Sequence, residues 1–231
     1  MTGASYFVTG TDTGVGKTLC AAALLRRARQ QGLRVAGMKP VASGAELTPA
    51  GLRNDEALRL LAECSAPLPA YATVNPYVFA PAIAPHLAAR DAAVSIDFHQ
   101  IAGCWQQLTH GTEFAVMEGA GGWRVPLDAT AFFGDLATTL QLPVILVVGL
   151  RLGCLNHALL SAAAINACGL RLAGWIGNQI DPHFARLADN LETLHQHLPG
   201  PCLGVVPTLT GPADAEQVAS AAHYLRLPPM A

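Results

Sequence analysis

Apolar residues along this chain fall into short runs that alternate with stretches of helical periodicity. Six runs are nearly continuous and predict buried strands, at 6–8, 35–39, 114–118, 142–149, 172–178 and 202–207. Apolar positions three or four residues apart predict helices from 19 to about 31 and at 51–64, 97–111, 156–168, 184–197 and 213–225. Because strands that alternate with helices pair in parallel, the pattern predicts a single α/β domain over residues 1–231. We expect a doubly wound, mostly parallel sheet of about seven strands with helices on both faces.

Two segments depart from both patterns. Residues 41–50 are rich in turn-forming residues, and residues 65–85 combine several prolines with little periodicity. Long stretches of this kind between helices and strands are usually binding loops or linkers. We therefore predict a long surface excursion at 65–85.

A glycine-rich segment, GTDTGVGKT at residues 10–18, lies between the first predicted strand and the first predicted helix. The order strand, glycine-rich turn, helix is the context in which backbone N–H groups at a helix start bind phosphate. The strict pattern G-x-x-x-x-G-K-[ST] is missed by one place, since Thr11 stands where its first glycine belongs. We interpret the segment as a variant phosphate-binding loop, in which Lys17 reaches the terminal phosphates and the Thr18 hydroxyl binds Mg²⁺.

Polar side chains stand where several of the predicted strands end. Lys39 follows the second strand, Glu118 ends a central strand and Asn178 ends a late one. Ligands collect at the carboxyl ends of the strands in an open α/β sheet, so we expect these residues near the phosphate-binding loop. Cations, a hydroxyl and a carboxylate around a phosphate are what phosphoryl transfer needs, and Glu118 would be a second Mg²⁺ ligand beside Thr18. From the residues alone, Glu118 could instead cap the following turn, and Lys39 could be an ordinary surface lysine.

The composition narrows the class of protein. Hydrophobic residues make up 52% of the chain and charged residues 13%, a surplus of apolar side chains that indicates buried subunit contacts. A net charge of −2 provides no field that would attract nucleic acid or an anionic membrane surface. The sequence has no basic-then-apolar leader and no apolar run long enough for a membrane span, so we expect a soluble, cytoplasmic protein. Cysteines without a C-x-x-C pair argue against a zinc site or a redox dithiol.

Several motifs taken together resemble the dethiobiotin synthetase family, and they follow the family's order over most of the chain. They are GTDTGVGKT at 10–18, KPVASG at 39–44, TPAGLRN at 48–54, EGAGGW at 118–123, LPVILVVG at 142–149 and LGCLNH at 152–157. The resemblance implies a homodimeric ligase of biotin biosynthesis that uses ATP, Mg²⁺ and CO₂ to close a cyclic urea on 7,8-diaminopelargonic acid. It implies that a carbamate on one amine is phosphorylated by ATP and that the second amine then expels phosphate.

By matching motif positions, the resemblance also implies roles for individual residues. Lys39, Lys17 and Thr13 would be catalytic, and Lys39 would carry most of the countercharge to the transition state. The nucleotide-binding residues would be Gly14, Val15, Gly16, Lys17, Thr18, Glu118, Gly121, Asn178, Pro207 and Asp214. Among these, Asn178 would read the adenine, and the segment around Pro207 would close over it. The substrate-binding residues would be Ser43 and, across the dimer interface, Gly153, Cys154, Leu155 and Asn156.

The Mg²⁺ ligands implied by the resemblance are Thr18, Glu118 and one further acidic residue, and here the chain departs from the family. An ungapped match puts Glu56 where the family has aspartate, whereas the aspartate of this chain is one step earlier, at Asp55. A longer side chain still reaches a metal ion, but octahedral Mg²⁺ tolerates little misplacement. We assign the role to Glu56 and keep Asp55 as the alternative.

Other interpretations of the same residues are open. The loop also fits a regulatory ATPase of the partitioning and nitrogenase-iron-protein type, but such proteins carry a second lysine early in the loop, where this chain has Asp12. It fits an amidotransferase-type ligase of the cobyrinate family as well, although 231 residues leave no room for the added glutaminase domain. A non-catalytic binding module with this fold would share all of these motifs.

Overall fold

The computed structural model of this chain describes residues 3–211 and 215–229. Within these ranges the strands are β1 (Ala4–Gly10), β2 (Val35–Met38), β3 (Val41–Ala42), β4 (Glu46–Thr48), β5 (Gly51–Arg53), β6 (Tyr77–Val78), β7 (Phe114–Gly122), β8 (Val144–Gly149), β9 (Leu172–Asn178) and β10 (Cys202–Val206). The helices are α1 (Lys17–Gln30), α2 (Asp55–Glu63), α3 (Tyr71–Val74), α4 (Pro85–Asp91), α5 (Phe98–Thr109), α6 (Phe133–Thr139), α7 (Cys154–Ala167), α8 (Leu187–His197) and α9 (Ala215–His223). Of the helices in these described ranges, none is both long and apolar enough to cross a membrane.

The central sheet contains six strands in the order β10-β9-β8-β1-β7-β2, and every neighbouring pair in it is parallel. The doubly wound, mostly parallel fold predicted from the sequence is confirmed, with six strands in place of the expected seven or so. The remaining short strands pair outside this sheet, β3 with β6 and β4 with β5. Because β1 lies in the middle, the loop that follows it lies over the centre of the carboxyl edge.

Both faces of the sheet are buried, which explains the continuous apolar runs of its strands. In β8, the side chains of Val144, Leu146 and Val148 belong to one hydrophobic core, and those of Ile145 and Val147 belong to the other. The first core includes residues of α5, α6, α7 and α8, and the second includes residues of α1, α2 and α9. A strand covered on both faces needs apolar residues at every position. The prediction of helices on both faces is therefore confirmed.

Several predicted boundaries are wrong around α2. The helix begins at Asp55 rather than at 51, because the Asn54 side chain caps it by accepting a hydrogen bond from the backbone N–H of Ala57 at 3.2 Å. Residues 51–53 pair instead with 46–48 in an antiparallel hairpin. The sequence patterns also missed α4 and α6, which span 7 residues each and are too short to show helical periodicity.

The proline-rich segment 65–85 is not the simple surface excursion that the sequence predicts. It contains α3 and β6, and several of its apolar side chains are buried. Asn75 holds it to the sheet, since its Nδ2 donates hydrogen bonds to the carbonyl groups of Lys39 at 2.7 Å and Tyr77 at 3.0 Å. Proline removes backbone donors, so a side chain takes over part of the hydrogen bonding. The end of the segment, residues 80–84, stays largely exposed.

Helices α1 and α2 are joined by an ion cluster around the buried carboxylate of Glu63. Glu63, at the end of α2, accepts hydrogen bonds from Arg26 Nε at 2.6 Å, Arg26 Nη2 at 2.5 Å and Arg29 Nη2 at 3.1 Å. A bidentate pair between guanidinium and carboxylate is both strong and directional. The cluster therefore holds α2 in a fixed position against α1, whose first residue follows the glycine-rich loop.

Glu63→Gln should lower the free energy of unfolding by about 2 kcal/mol, because it leaves two arginines without their counterion. The matched control is Asp189→Asn, which removes a carboxylate whose ion pair with Arg186 is exposed to solvent. Exposed pairs contribute roughly 0–1 kcal/mol. Chemical denaturation followed by circular dichroism measures both losses, and equal losses in the two variants would contradict the buried cluster.

Candidate active site

The register of two parallel strands brings Lys39 and Glu118 together. In the pairing of β2 with β7, Met38 lies opposite Met117, so Lys39 and Glu118 occupy the next position along both strands. The Nζ of Lys39 lies 2.9 Å from Oε1 of Glu118 and donates to the carbonyl of Gly119 at 2.8 Å. Lys39 is 1% exposed and Glu118 is 0% exposed. The structure thus makes this lysine a buried ion-pair partner rather than an ordinary surface residue.

A second carboxylate reaches the same ammonium group from helix α2. Oε2 of Glu56 lies 2.6 Å from Nζ of Lys39, and the Glu56 side chain is 48% exposed. Asp55 lines the same cleft, but the ion pair with Lys39 is made by Glu56. Between the two acidic residues considered from the sequence, Glu56 is therefore the one in contact with the buried pair.

The two oxygens of Glu118 have different surroundings. Oε1 accepts hydrogen bonds from Lys39 and from the Thr18 hydroxyl, the latter at 2.8 Å. Oε2 is buried and has no hydrogen-bond partner among the described residues. A buried carboxylate oxygen without a partner is costly, and a bound cation would satisfy it. Oε2 of Glu118 is therefore the oxygen that a cation beside Thr18 would contact.

The donor set here is two carboxylates and a hydroxyl: Glu118, Glu56 and Thr18. In the part of the chain that the structure describes, no cluster of three or more His, Cys, Asp or Glu residues is placed to hold a metal ion. Mg²⁺ commonly binds one or two protein carboxylates and completes its shell with water and phosphate oxygens. The residues present fit that ion, and they do not form a closed, all-protein metal cage.

The charges in this cluster shift one another's pKa values. Burial disfavours the charged form of Lys39, but Glu118 and Glu56 outweigh it and raise the pKa of Lys39. Burial raises the pKa of Glu118, and Lys39 opposes that rise. Burial also acts on Glu56, yet Lys39 holds the pKa of Glu56 below its usual value. Burial, aided by the charge of Lys39, lowers the pKa of Lys17. Lys39 is therefore held firmly in its ammonium form.

The glycine-rich loop leads into α1 with an open helix start. Gly16 caps the helix with φ of 84°, a left-handed conformation that a side chain would strain, and a Cβ there would overlap the amide of Asn178. The cap forms no side-chain hydrogen bond, and the first turn of α1, described in full, has no acidic residue. The backbone N–H groups at this helix start are available to an anion, and phosphate binding by Gly14, Val15 and Gly16 stays a prediction.

Two residues of the glycine-rich loop, Thr11 and Asp12, bind neighbouring segments. The Thr11 hydroxyl accepts a hydrogen bond from the backbone N–H of Gly149 at 3.3 Å, which ties the loop to the end of β8. Asp12 forms an ion pair with Arg151 at 2.6 Å, and its carbonyl accepts a hydrogen bond from Nζ of Lys17 at 3.0 Å. Asp12, the residue that distinguishes this loop from those of regulatory ATPases, is thus engaged by a cation from another segment.

A cleft of about 670 Å³ opens beside these charged groups. Of the residues predicted from the sequence, those that line it are Thr13, Gly14, Lys17, Lys39, Ser43, Asp55, Glu56 and Gly121. Gly121 allows close packing here, since a Cβ at this position would lie 2.7 Å from Val125 and 3.4 Å from the Thr13 hydroxyl. Ala42, Val125 and the loop 82–85 add an apolar wall. A cleft with this lining suits a small molecule that carries polar groups on a hydrocarbon chain.

The residues predicted to bind the base lie on the other side of the loop. Nδ2 of Asn178 donates to the carbonyl of Val15 at 2.9 Å, which places the end of β9 against the phosphate-binding loop. Pro207 follows β10, and the next residues, 208–211, line a separate hollow of about 280 Å³ with α9. Asp214 lies outside the described residues. The adenine contacts stay a prediction.

The segment predicted to bind the substrate carboxylate begins helix α7. Gly153 caps this helix with φ of 94°, and Cys154, Leu155 and Asn156 form its first turn. Among the described residues that line the 670 Å³ cleft, none comes from this segment. The preceding residue, Leu152, is 90% exposed. Within one chain, therefore, the start of α7 does not reach the cleft.

Three contributors to the site were missed by the sequence patterns. Asn54 had a readable signal, because an asparagine followed by two acidic residues is typical of a helix start. Arg151 had none, since its partner Asp12 is far away in sequence. Gly119 contributes its backbone carbonyl to Lys39, and a backbone contact leaves no mark on residue type.

Comparison with known proteins gives full-length relatives. Residues 4–214 match the family described as "AAA domain". An ATP-dependent dethiobiotin synthetase BioD from Pseudomonas paraeruginosa is 56% identical over 220 residues, which cover 95% of this chain and 95% of the relative. The protein of the same name from Chromohalobacter salexigens is 54% identical over 234 residues and covers 97% of this chain and 98% of its own length. That from Xanthomonas euvesicatoria is 52% identical over 224 residues, with the same two coverages of 97% and 98%.

Solved structures show the same fold at low sequence identity. The MinD cell division protein of Aquifex aeolicus has a TM-score of 0.55 and 13% identity, covering 95% of this chain and 86% of that one. A ParA family ATPase from Chlorobium tepidum has a TM-score of 0.56 and 13% identity, covering 95% and 90%. These likenesses support the fold alone. Relatives more than 50% identical along nearly the whole length decide the family, and the chain belongs to the ATP-dependent dethiobiotin synthetases.

Proposed function

We propose that this chain catalyses the ATP- and Mg²⁺-dependent carboxylation and ring closure of 7,8-diaminopelargonic acid with CO₂, giving dethiobiotin, ADP and phosphate. The single observation that carries the proposal is the buried Lys39, held between Glu118 and Glu56 beside Lys17 and Thr18 of the phosphate-binding loop. Family membership supports the same reaction.

The chemistry needs two anions to approach each other. One amine of the substrate captures CO₂ as a carbamate and loses a proton, and a carbamate oxygen then attacks the γ-phosphorus of ATP. The second amine attacks the carbonyl carbon of the resulting mixed anhydride and expels phosphate, which closes the cyclic urea. A carbamate is a poor acylating agent until it is phosphorylated, so the difficulty is to bring carbamate and triphosphate together. Cations fixed in the cleft reduce that repulsion.

The chain's own groups supply this countercharge. Lys17 and the open N–H groups at the start of α1 hold the β- and γ-phosphates. Lys39 faces the same cleft and stabilises charge on the transferring phosphoryl group and the carbamate, with Thr13 beside the carbamate. Thr18, Glu118 and Glu56 would hold Mg²⁺, which when bound neutralises phosphate charge. The unpaired Oε2 of Glu118 supports this assignment.

The diamine fits the remaining part of the cleft. Ser43 lies on its lining and contacts the substrate, and the apolar wall formed by Ala42, Val125 and the loop 82–85 packs against the hydrocarbon chain. On the nucleotide side, we propose that Asn178 reads the adenine, with the segment around Pro207 and Asp214 closing over the nucleoside. These small soluble substrates, and ATP among them, suit an enzyme that works in the cytoplasm without nucleic acid or membrane.

We also propose that the enzyme is a homodimer that completes its substrate site across the interface. Helix α7 exposes Leu159 and Leu160, the latter at 62%, and Leu152, two residues before the helix, is 90% exposed. Clustered exposed leucines indicate a protein contact surface. In a dimer built on α7, the residues from Gly153 to Asn156 would bind the carboxylate of the substrate held in the partner's cleft, with the helix start providing N–H donors.

The test of the activity is an incubation with diaminopelargonate, bicarbonate and MgATP. Phosphate release should depend on the diamine, and dethiobiotin should appear in equal amount. Lys17→Ala should reduce both at least about a hundredfold, because the terminal phosphates lose a fixed cation. Arg90→Ala removes a cation from an exposed surface pair and serves as the matched control, with turnover unchanged. Phosphate release without the diamine, or full activity of Lys17→Ala, would contradict the proposal.

A second experiment decides which of two neighbouring carboxylates, Glu56 or Asp55, is a Mg²⁺ ligand. Glu56→Gln should raise the Mg²⁺ concentration needed for half-maximal activity by about tenfold or more, because it replaces a negatively charged carboxylate next to Glu118 by a neutral amide. Asp55→Asn changes the adjacent residue in the same cleft and should shift the titration far less. The measurement is the initial rate as a function of Mg²⁺ at fixed ATP. A larger effect of Asp55→Asn would move the ligand role to Asp55.

The dimer is tested at helix α7. Leu160→Asp should convert the protein to monomers, because a charge in an apolar interface loses its hydration. Leu47→Asp is the control, since Leu47 is 82% exposed, against 62% for Leu160, and lies on the β4–β5 hairpin rather than on α7. Light scattering coupled to size-exclusion chromatography gives the mass of each variant. An unchanged mass for Leu160→Asp, or a monomeric wild-type protein, would rule out this interface.

A further inference from the structure

The ammonium group of Lys39 is fully occupied in this structure. A lysine ammonium has three N–H donors. Three acceptors surround Nζ of Lys39: Oε2 of Glu56 at 2.6 Å, Oε1 of Glu118 at 2.9 Å and the carbonyl of Gly119 at 2.8 Å. A substrate or phosphate oxygen can therefore receive a hydrogen bond from Lys39 only after one of these acceptors has been released.

The three acceptors are not held equally. Glu118 and Gly119 lie on β7, and Glu118 is 0% exposed. Glu56 belongs to the first turn of α2, and its side chain is 48% exposed at the cleft. The contact with Glu56 can be exchanged by rotation of one side chain, without movement of the sheet. Glu56 is thus the acceptor that can leave.

An alternative partner position for Glu56 lies directly beside this contact. Oε2 of Glu118 is buried without a hydrogen-bond partner, and the Thr18 hydroxyl is bonded to Oε1 of the same carboxylate. A divalent cation that used the free oxygen of Glu118 would also attract Glu56, which is ionised next to Lys39. The cation and the ammonium group therefore compete for Glu56.

We propose that Lys39 rests as an internal counterion to Glu56 and Glu118, and that it becomes available to the reacting oxygens only when Glu56 turns to a divalent cation. Without the cation, the positive charge of Lys39 offsets the charge of the two carboxylates and holds them close to each other. With the cation present, one N–H donor of Lys39 is released toward the cleft, where Lys17, Thr13 and Ser43 also lie. Binding of the cation and release of this N–H donor of Lys39 are then coupled. The inference rests on the proposed function for the identity of the cation as Mg²⁺.

The lysine content of the chain makes the exchange directly observable. The sequence contains two lysines, Lys17 and Lys39, and both line the same cleft. Protein grown with lysine labelled at Cε and Nζ therefore gives two side-chain NMR signals. Lys17 donates to the carbonyl of Asp12 and forms no carboxylate ion pair among the described contacts, so it serves as an internal reference. Spectra of Lys17→Arg assign the pair.

Adding Mg²⁺ without nucleotide or diamine should shift the Lys39 signal and accelerate hydrogen exchange at its Nζ by about tenfold or more, because a hydrogen bond to Glu56 is lost. The Lys17 signal should move less. In the metal-free protein, Glu56→Gln should shift the Lys39 signal in the same direction as Mg²⁺ does in the wild type. An unchanged Lys39 signal at Mg²⁺ concentrations that saturate binding would overturn the inference.

The competition also predicts a change in cation affinity. Removing the Lys39 charge should tighten binding of Mn²⁺, followed by its electron paramagnetic resonance signal without nucleotide, by at least about tenfold. Lys39→Met is the variant and Lys17→Met is the control, since it removes a charge from the same cleft but no carboxylate partner. Circular dichroism verifies that each variant is folded. If Lys39→Met does not fold, the wild-type and Glu56→Gln spectra decide alone. Equal or weaker Mn²⁺ binding by folded Lys39→Met overturns the inference.

These outcomes are separable from the proposed function. If the protein makes dethiobiotin while Lys39 stays bound to Glu56 in saturating Mg²⁺, the proposed function is supported and the proposed exchange is refuted. If Mg²⁺ releases Lys39 from Glu56 but phosphate release does not depend on the diamine, the exchange is supported and the proposed function is refuted.

Discussion

An ammonium group enclosed between two carboxylates is the contact on which the rest of the cleft depends. Burying one charge alone costs several kcal/mol, so Lys39 and Glu118 can occupy the interior only as a pair. The pair requires β2 beside β7 in the register that sets Met38 opposite Met117. Its third member, Glu56, requires α2 to begin at Asp55. The charge balance of the cleft therefore depends on both the order of the strands in the sheet and the residue at which α2 begins.

The charged groups of the cleft come from parts of the fold that differ in rigidity: the central sheet and the start of helix α2. Glu118 lies on β7 and Lys39 directly follows β2, two strands with buried side chains, so their positions are set by the packing of the whole sheet. The glycine-rich loop is connected to the sheet by the hydrogen bond from the Thr18 hydroxyl to Glu118. Glu56 comes from outside the sheet, on a helix fastened to α1 through Glu63. Groups that must stay fixed lie on strands, and the group that can move lies at a helix start.

Much of this was predictable from the sequence because it is local. The phosphate-binding loop is read from a continuous segment, and Lys39 and Glu118 are singled out by the strands that precede them. Their mutual contact is not local, since it depends on β7 lying between β1 and β2. The start of α2 was misjudged because the periodicity extends back through the hairpin, although Asn54 marks the boundary. The segment 65–85 was misjudged because Asn75 replaces the missing backbone donors, and no pattern of apolar residues reports such a side-chain role.

Gly16 and Asn178 form a contact that links the glycine-rich loop to the end of β9. The Asn178 amide donates to the carbonyl of Val15 and fills the space that any side chain at position 16 would need. The strand end assigned to the base and the loop assigned to the phosphates are therefore mechanically joined. In evolutionary terms the two positions are epistatic: a substitution that alters the amide at 178 also disturbs the left-handed turn at Gly16 from which α1 begins.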